Sequence, residues 1–319
     1  MAAKITYREF KETFPREAMK FVPPEFDGRS LTVQEFDKNN GPVEMITLTP
    51  EEGDGASIAP ALRMKELYMS YRSSESPAPL GETAGLLWRS FRQARTNKDV
   101  LGTIPENWDK AKQNIYPYLI NAEANAKLLE TAPHKEVFDL AVAYYWQKPN
   151  EQTGELNSIL LTDAVLKYFG ATERDRAKLY DTAMENLKRD DPPKFYNVLE
   201  ILPIPPAEDE PNMYALTTKN GNRGAIVITD KKFMDSLREQ WGDFYILPSS
   251  IHECLAISEA DVGRCINGID FLETIRQVNQ DAVNPEERLS GSLYHYGEDG
   301  LTIAEEAELE MEENGPELD

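Results

Sequence analysis

Residues 244–257 read FYILPSSIHECLAI, with two serines, a histidine, a glutamate and a cysteine inside six positions of a 319-residue chain that has three histidines. Residues of these types could serve four chemistries. A zinc-peptidase helix needs a second histidine four residues after the first, one turn on along the same face. Here His252-Glu253 leads to Ala256, so the second ligand is missing. A nucleophile elbow needs glycines flanking its serine, whereas Ser249 and Ser250 have Pro248 and Ile251 as neighbours.

A cysteine–histidine pair is geometrically open, because His252 and Cys254 would share a face of a strand. An apolar neighbourhood, however, raises a thiol's pKa and weakens it as a nucleophile. A serine–histidine–acid set built from Ser249 or Ser250, His252 and a distant carboxylate stays open. The structural reading is a turn between strands FYIL and CLAI, with the serine hydroxyls bonding the turn's own backbone. His134, five residues before Asp139 in PHKEVFD, supplies the other candidate pair, and His295 stands between two tyrosines. There is no phosphate loop, dinucleotide fingerprint or pair of zinc-spaced cysteines, so neither a cofactor nor a metal is expected.

The elements that must position these residues are legible in the hydrophobic spacing. TYREFKETFPREAMKFV places Tyr7, Phe10, Phe14, Ala18 and Phe21 at helical intervals, with Pro15 as a kink or restart. SLTVQEF and VEMITLT alternate around KNNG, which predicts a hairpin. IAPALRMKELYMSY reads as a short strand running into a helix, and GETAGLLWRSFRQAR as a further helix. VFDLAVAYYWQ is the most strand-like segment of the chain by β-branched and aromatic content. Thr162 caps TDAVLKYF and Gly170 stops it, while Thr172 and Asp175 form a capping-box pattern for a longer helix. MYALTT and GAIVIT flank KNGNR, which predicts a second hairpin. TDKKFMDSLREQW is a helix, and Ser258 with Asp261 caps another whose inner face includes Cys265. SGSLYHYGEDGLTI reads as a closing hairpin. Hairpins interleave with amphipathic helices and no βαβ series appears, so the expected class is α+β with mostly antiparallel sheet. Two lobes, 1–100 and 101–297, are expected, which could also form one continuous domain, followed by an acidic tail at 298–319 that buries too little apolar surface to order itself.

The charge is −22, from 34 Lys plus Arg against 56 Asp plus Glu, and ten of the acids lie in residues 298–319 with no base among them. Phosphate backbones repel such a surface, so direct nucleic-acid binding is not expected, although rows of carboxylates could mimic a nucleic acid. No run of about 18 apolar residues is present to span a bilayer. The N-terminus lacks the apolar core of a secretion signal. Two cysteines in apolar patterns suit a reducing compartment, and the expectation is a cytoplasmic protein.

Three segments carry a resemblance: NIYPYLINAEANAKLLETAPHKEVFDLAVAYY, GDFYILPSSIHECLAI and VNPEERLSGSLYHY. Together with KNNGPV and IAPALRMKELYMSY they resemble domain of unknown function 5688 to about residue 297. The shared positions include Asn121, His134, Asp139, Pro248, Ser249, Ser250, His252 and Glu253. The resemblance implies a protein of anaerobic gut bacteria and their mobile elements, and it implies no particular chemistry. The reading from sequence is a non-enzymatic module that engages another protein. The alternatives are a small-ligand enzyme or hydrolase with its site near Ser249–Glu253, and an acidic nucleic-acid mimic acting against host defence.

Overall fold

A computed structural model of the chain describes residues 4–49, 61–96, 104–149, 156–201, 211–262, 277 and 283–305. Cys265, residues 306–319 of the acidic tail and most of the 203–211 Pro-rich loop lie outside the described residues. Helices stand beside three antiparallel sheets, an α+β fold. Two compact units divide the chain, one within residues 1–103 and the other Ile104–Met311 with the turn residues Asn39–Gly41.

In the first unit, β1 (Leu31–Lys38), β2 (Gly41–Leu48) and β3 (Ala61–Arg63) form one sheet in that order. The helix Tyr7–Met19 begins with a complete capping box between Thr6 and Glu9 and runs through Pro15 without ending there. It buries Phe10, Phe14 and Ala18 against Tyr68, Trp88 and Phe91 from the helices Met64–Ser73 and Pro79–Thr96.

In the second unit, β4 (Ile115–Asn121), β5 (Lys135–Val137), β6 (Leu140–Pro149) and β7 (Leu156–Leu160) make a sheet around β6. Strands β5 and β7 share the edge of β6 opposite β4, pairing with Leu140–Val142 and Tyr145–Pro149 respectively. The second sheet has six strands: β8 (Pro193–Asn197), β9 (Tyr214–Thr218), β10 (Phe244–Leu247), β11 (Cys254–Ser258), β12 (Leu293–Gly297) and β13 (Gly300–Glu305). Their order is β13-β12-β10-β11-β9-β8, every pair antiparallel. One core joins Val142, Trp146, Leu166, Phe169, Ile226, Ile246 and Tyr294.

Three expectations change. GAIVIT is a buried 3₁₀ stretch, Gly224–Thr229, and not a strand. Both edges of β9 are already taken by β8 and β11, which leaves no ladder for a third strand. Asn220-Gly221 does turn the chain, but Arg223 follows at φ 55 and sends it inward. VFDLAVAYYWQ is interrupted: β5 ends at Val137, Phe138-Asp139 forms a two-residue turn, and β6 starts at Leu140. The helix predicted from Thr172 breaks at Lys178 into Glu173–Ala177 and Leu179–Asp190. The KNNG, β10–β11 and β12–β13 hairpins form as predicted.

Candidate functional site

All six candidate residues of the sequence lie in the second unit, five of them on the β5–β6 and β10–β11 turns and His134 just before β5. Between β10 and β11, Ser250 Oγ accepts the backbone N–H groups of His252 (3.1 Å) and Glu253 (3.3 Å). The Ser249 hydroxyl donates to the Glu253 carbonyl at 3.4 Å. These are the local bonds by which serines stabilise turns in place of a ladder. The imidazole of His252 accepts the Arg223 N–H at Nδ1 (3.2 Å), and its Nε2 lies 3.6 Å from a Glu287 carboxylate oxygen. An accepting Nδ1 puts the neutral ring's proton on Nε2, facing Glu287. The Glu253 carboxylate accepts the Tyr196 hydroxyl at 2.9 Å. Burial first, and then this bond, push the Tyr196 phenol up to about 12. Cys254 is wholly buried, and burial drives its thiol far above the ordinary value. Desolvation disfavours the thiolate, so this sulfur is a core atom and not a nucleophile.

The second cluster surrounds Asp139. Its carboxylate accepts hydroxyls from Ser290 (2.5 Å), Ser292 (3.2 Å) and Tyr294. Burial, and then Asp139 itself, hold the Tyr294 phenol well above its usual range, so Tyr294 remains the donor. Asp139's own carbonyl accepts the Ala122 N–H at 2.9 Å. His134 is not among the partners of Asp139: its Nδ1 faces the Ala132 carbonyl at 2.9 Å, and the residue is exposed.

Residues 284–292 connect the two clusters. Ile251 N–H donates to the Glu287 carbonyl, Ser250 bridges Arg288, and Ser290 N–H donates to the Pro248 carbonyl. On its other side the segment gives its Ser290 and Ser292 hydroxyls to Asp139. Asn121 donates to the Leu289 carbonyl, and Asn40 donates to the carbonyls of Pro285 and Arg288. Asn40 and Asn125 exchange a further pair of bonds, both of 2.9 Å. The turn and Asp139 thus meet opposite sides of one braced segment, and no hydrogen bond joins the His252 ring to a serine hydroxyl among the described residues.

Sequence reasoning passed over Arg223, Glu287, Ser290, Ser292 and Tyr196, which complete these networks. The signal available for four of them was their place in VNPEERLSGSLYHY and beside Asn220-Gly221. Arg223 also lays its guanidinium over the Tyr145 ring at 4.0 Å and the Tyr118 ring at 5.2 Å, a cation–π arrangement.

A cavity of about 300 Å³ opens beside the β5–β6 turn, with Lys135, Phe138, Tyr180, Lys231, Tyr296 and Asp299 in its wall. None of His134, Asp139, Ser249, Ser250, His252 and Glu253 lines it. Among the described residues, no group of three or more His, Cys, Asp or Glu side chains is placed to hold a metal ion. No helix among them is long and apolar enough to cross a membrane.

No curated protein and no solved structure matches the chain. A family model does match, over residues 7–298, a span that takes in the β10–β11 turn, the Asp139 network and the segment that braces them. The chain belongs to the family that this model describes, the family of unknown function DUF5688.

Proposed function

We propose that the chain works by binding another protein and not by nucleophilic catalysis. One observation carries this reading. The groups that catalysis at residues 249–254 would use are committed to holding the fold: both serine hydroxyls to backbone, His252 to Arg223 and Glu287, and the Cys254 thiol to the core. A nucleophile and its base must instead lie within hydrogen-bond reach of each other. The net charge of −22 supports a partner with a basic face, met in the cytoplasm, and carriage on a mobile element suits the same reading.

The test is affinity capture on the full chain beside one ending at Glu305, which keeps β13, followed by association rates at rising salt. A specific partner whose association slows with salt is the expected result, because screening weakens steering between exposed charges. Salt-insensitive association would remove the electrostatic part of the proposal. Ester or amide hydrolysis by the purified chain that disappears in His252→Ala, at unchanged stability, would replace the proposal with the hydrolase reading.

A further inference from the structure

The cavity beside the β5–β6 turn has features that the protein-binding reading does not use. Phe138 stands at its rim, half exposed, at φ 58. It occupies the first central position of a two-residue hairpin turn, between the paired residues Val137 and Leu140. Positive φ at such a position suits glycine and is uncommon for a bulky side chain. What holds it there is the neighbouring network. Asp139 is tied to Ser290, Ser292 and Tyr294, and the Tyr294 ring meets the Phe138 ring edge-on at 5.7 Å. An aromatic side chain is therefore kept in an unfavourable backbone conformation at the mouth of a cavity.

The polar groups of the wall narrow the ligand. Lys231 is paired with Asp235 at 2.9 Å. Lys135 has no ion pair among the described residues, and its ammonium rests 4.0 Å from the centre of the Tyr180 ring. The Tyr180 hydroxyl already donates to Thr229, and the Tyr296 hydroxyl to Asp235. Tyr296 is buried with its ring stacked on Phe244, so of the two phenols it is the half-buried Tyr180 that lines the cavity as ring with its donor spent. The helix Lys231–Trp241 also begins at this wall, and its N-cap Asp230 already supplies the negative charge that a helix start favours, so the attraction for an anion rests on Lys135. Asp299 works against a second negative charge. One cation with no ion pair among the described residues, one opposing carboxylate and the rings of Phe138 and Tyr180 match a single anionic group joined to a flat apolar body. The volume stands at the small end of ligand sites, roughly 300–1,000 Å³, which suits one ring and not a nucleotide.

We propose that this cavity binds a small aromatic monocarboxylate, with Lys135 pairing its carboxylate and Phe138 packing on its ring. The test is a ligand-detected NMR titration of the full chain with benzoate and 3-phenylpropionate, beside benzamide, which lacks the charge, and acetate, which lacks the ring. Saturable binding of the two aromatic acids at millimolar concentrations is expected, with benzamide and acetate weaker by at least about tenfold. Lys135→Gln should weaken benzoate by a similar factor, Lys135→Arg should keep most of it, and Phe138→Gly should weaken it too. Lys65→Gln, an equal charge change on an exposed residue of the first unit, should leave it unchanged. Absence of saturable binding, equal affinity for benzoate and benzamide, or equal effects of Lys135→Gln and Lys65→Gln would each overturn the proposal. Protein-partner capture does not enter any of these readouts, so the two proposals stand or fall separately.

Discussion

Two turns of the second unit carry the chain's most suggestive residues, and they use them in opposite ways. Between β10 and β11, Pro248–Glu253 gathers serines, a histidine and a glutamate, and their polar groups point into bonds that close the fold. Between β5 and β6, Phe138-Asp139 offers one carboxylate and one phenylalanine, yet that phenylalanine is strained, exposed and set at a cavity. A high density of reactive residue types is a poor guide to function when their hydrogen bonds are already satisfied. A conformation kept against its local preference is a better one, because surrounding structure must maintain it.

The sharpest way to break the comparison is at the β10–β11 turn's own support. A Cβ on Gly224 would lie 2.6 Å from the Thr218 nitrogen and 2.7 Å from the His252 carbonyl oxygen, besides meeting the Thr217 hydroxyl. Gly224→Ala should cost about 3 kcal/mol or more, since backbone must shift to admit it, as read by urea denaturation. A cost within error of zero would mean that the turn is not packed as described. Asp139→Ala comes next, at roughly 2–3 kcal/mol, because it leaves three hydroxyls without their acceptor. It should also weaken benzoate binding by freeing Phe138, an effect absent if the two sites are unconnected.

Smaller effects separate the two turns more finely. Ser250→Ala should cost about 1 kcal/mol, with Ser249→Ala below it, in keeping with single turn hydrogen bonds. Loss of function from Ser250→Ala without loss of stability would make that turn the working site. Phe138→Gly should leave stability unchanged or raise it by up to about 1 kcal/mol, through relief of the left-handed backbone, while weakening ligand binding. A clear loss of stability would recast Phe138 as ordinary packing. The least effect is expected of Tyr196→Phe. The folded phenol titrates higher than an unfolded one near pH 10, so its contribution is complete below pH 10 and is lost as pH rises toward about 12. The variant should flatten that part of the stability profile, which a pH series of thermal unfolding would show.

What could be read along the chain was local. Thr162 and Thr172 cap helices because a side-chain oxygen there reaches an N–H three residues on. KNNG and PSSIHE turn because their residues tolerate turn conformations and bond their own backbone. Alternation and helical spacing were enough to set the α+β class. The misreadings came where distant strands competed. Whether GAIVIT could be a strand depended on β8 and β11 having occupied both edges of β9, a fact about sequence separations of 20 to 40 residues.

The site was legible only in parts. Asp139, Ser250, His252 and Glu253 were identifiable as residue types, but their partners Ser290, Tyr294, Arg223 and Tyr196 lie 29 to 155 positions away. The sequence by itself determined caps, turns, the class of fold, the surplus of acid and membership in the family. The tertiary structure alone decided which polar groups are spent, that the Cys254 thiol is inert, and that a strained phenylalanine shares a cavity wall with a lysine that has no ion pair among the described residues. The division follows from range. Backbone preferences act over a few residues, whereas burial, hydrogen-bond satisfaction and cavity walls exist only once distant segments have packed together.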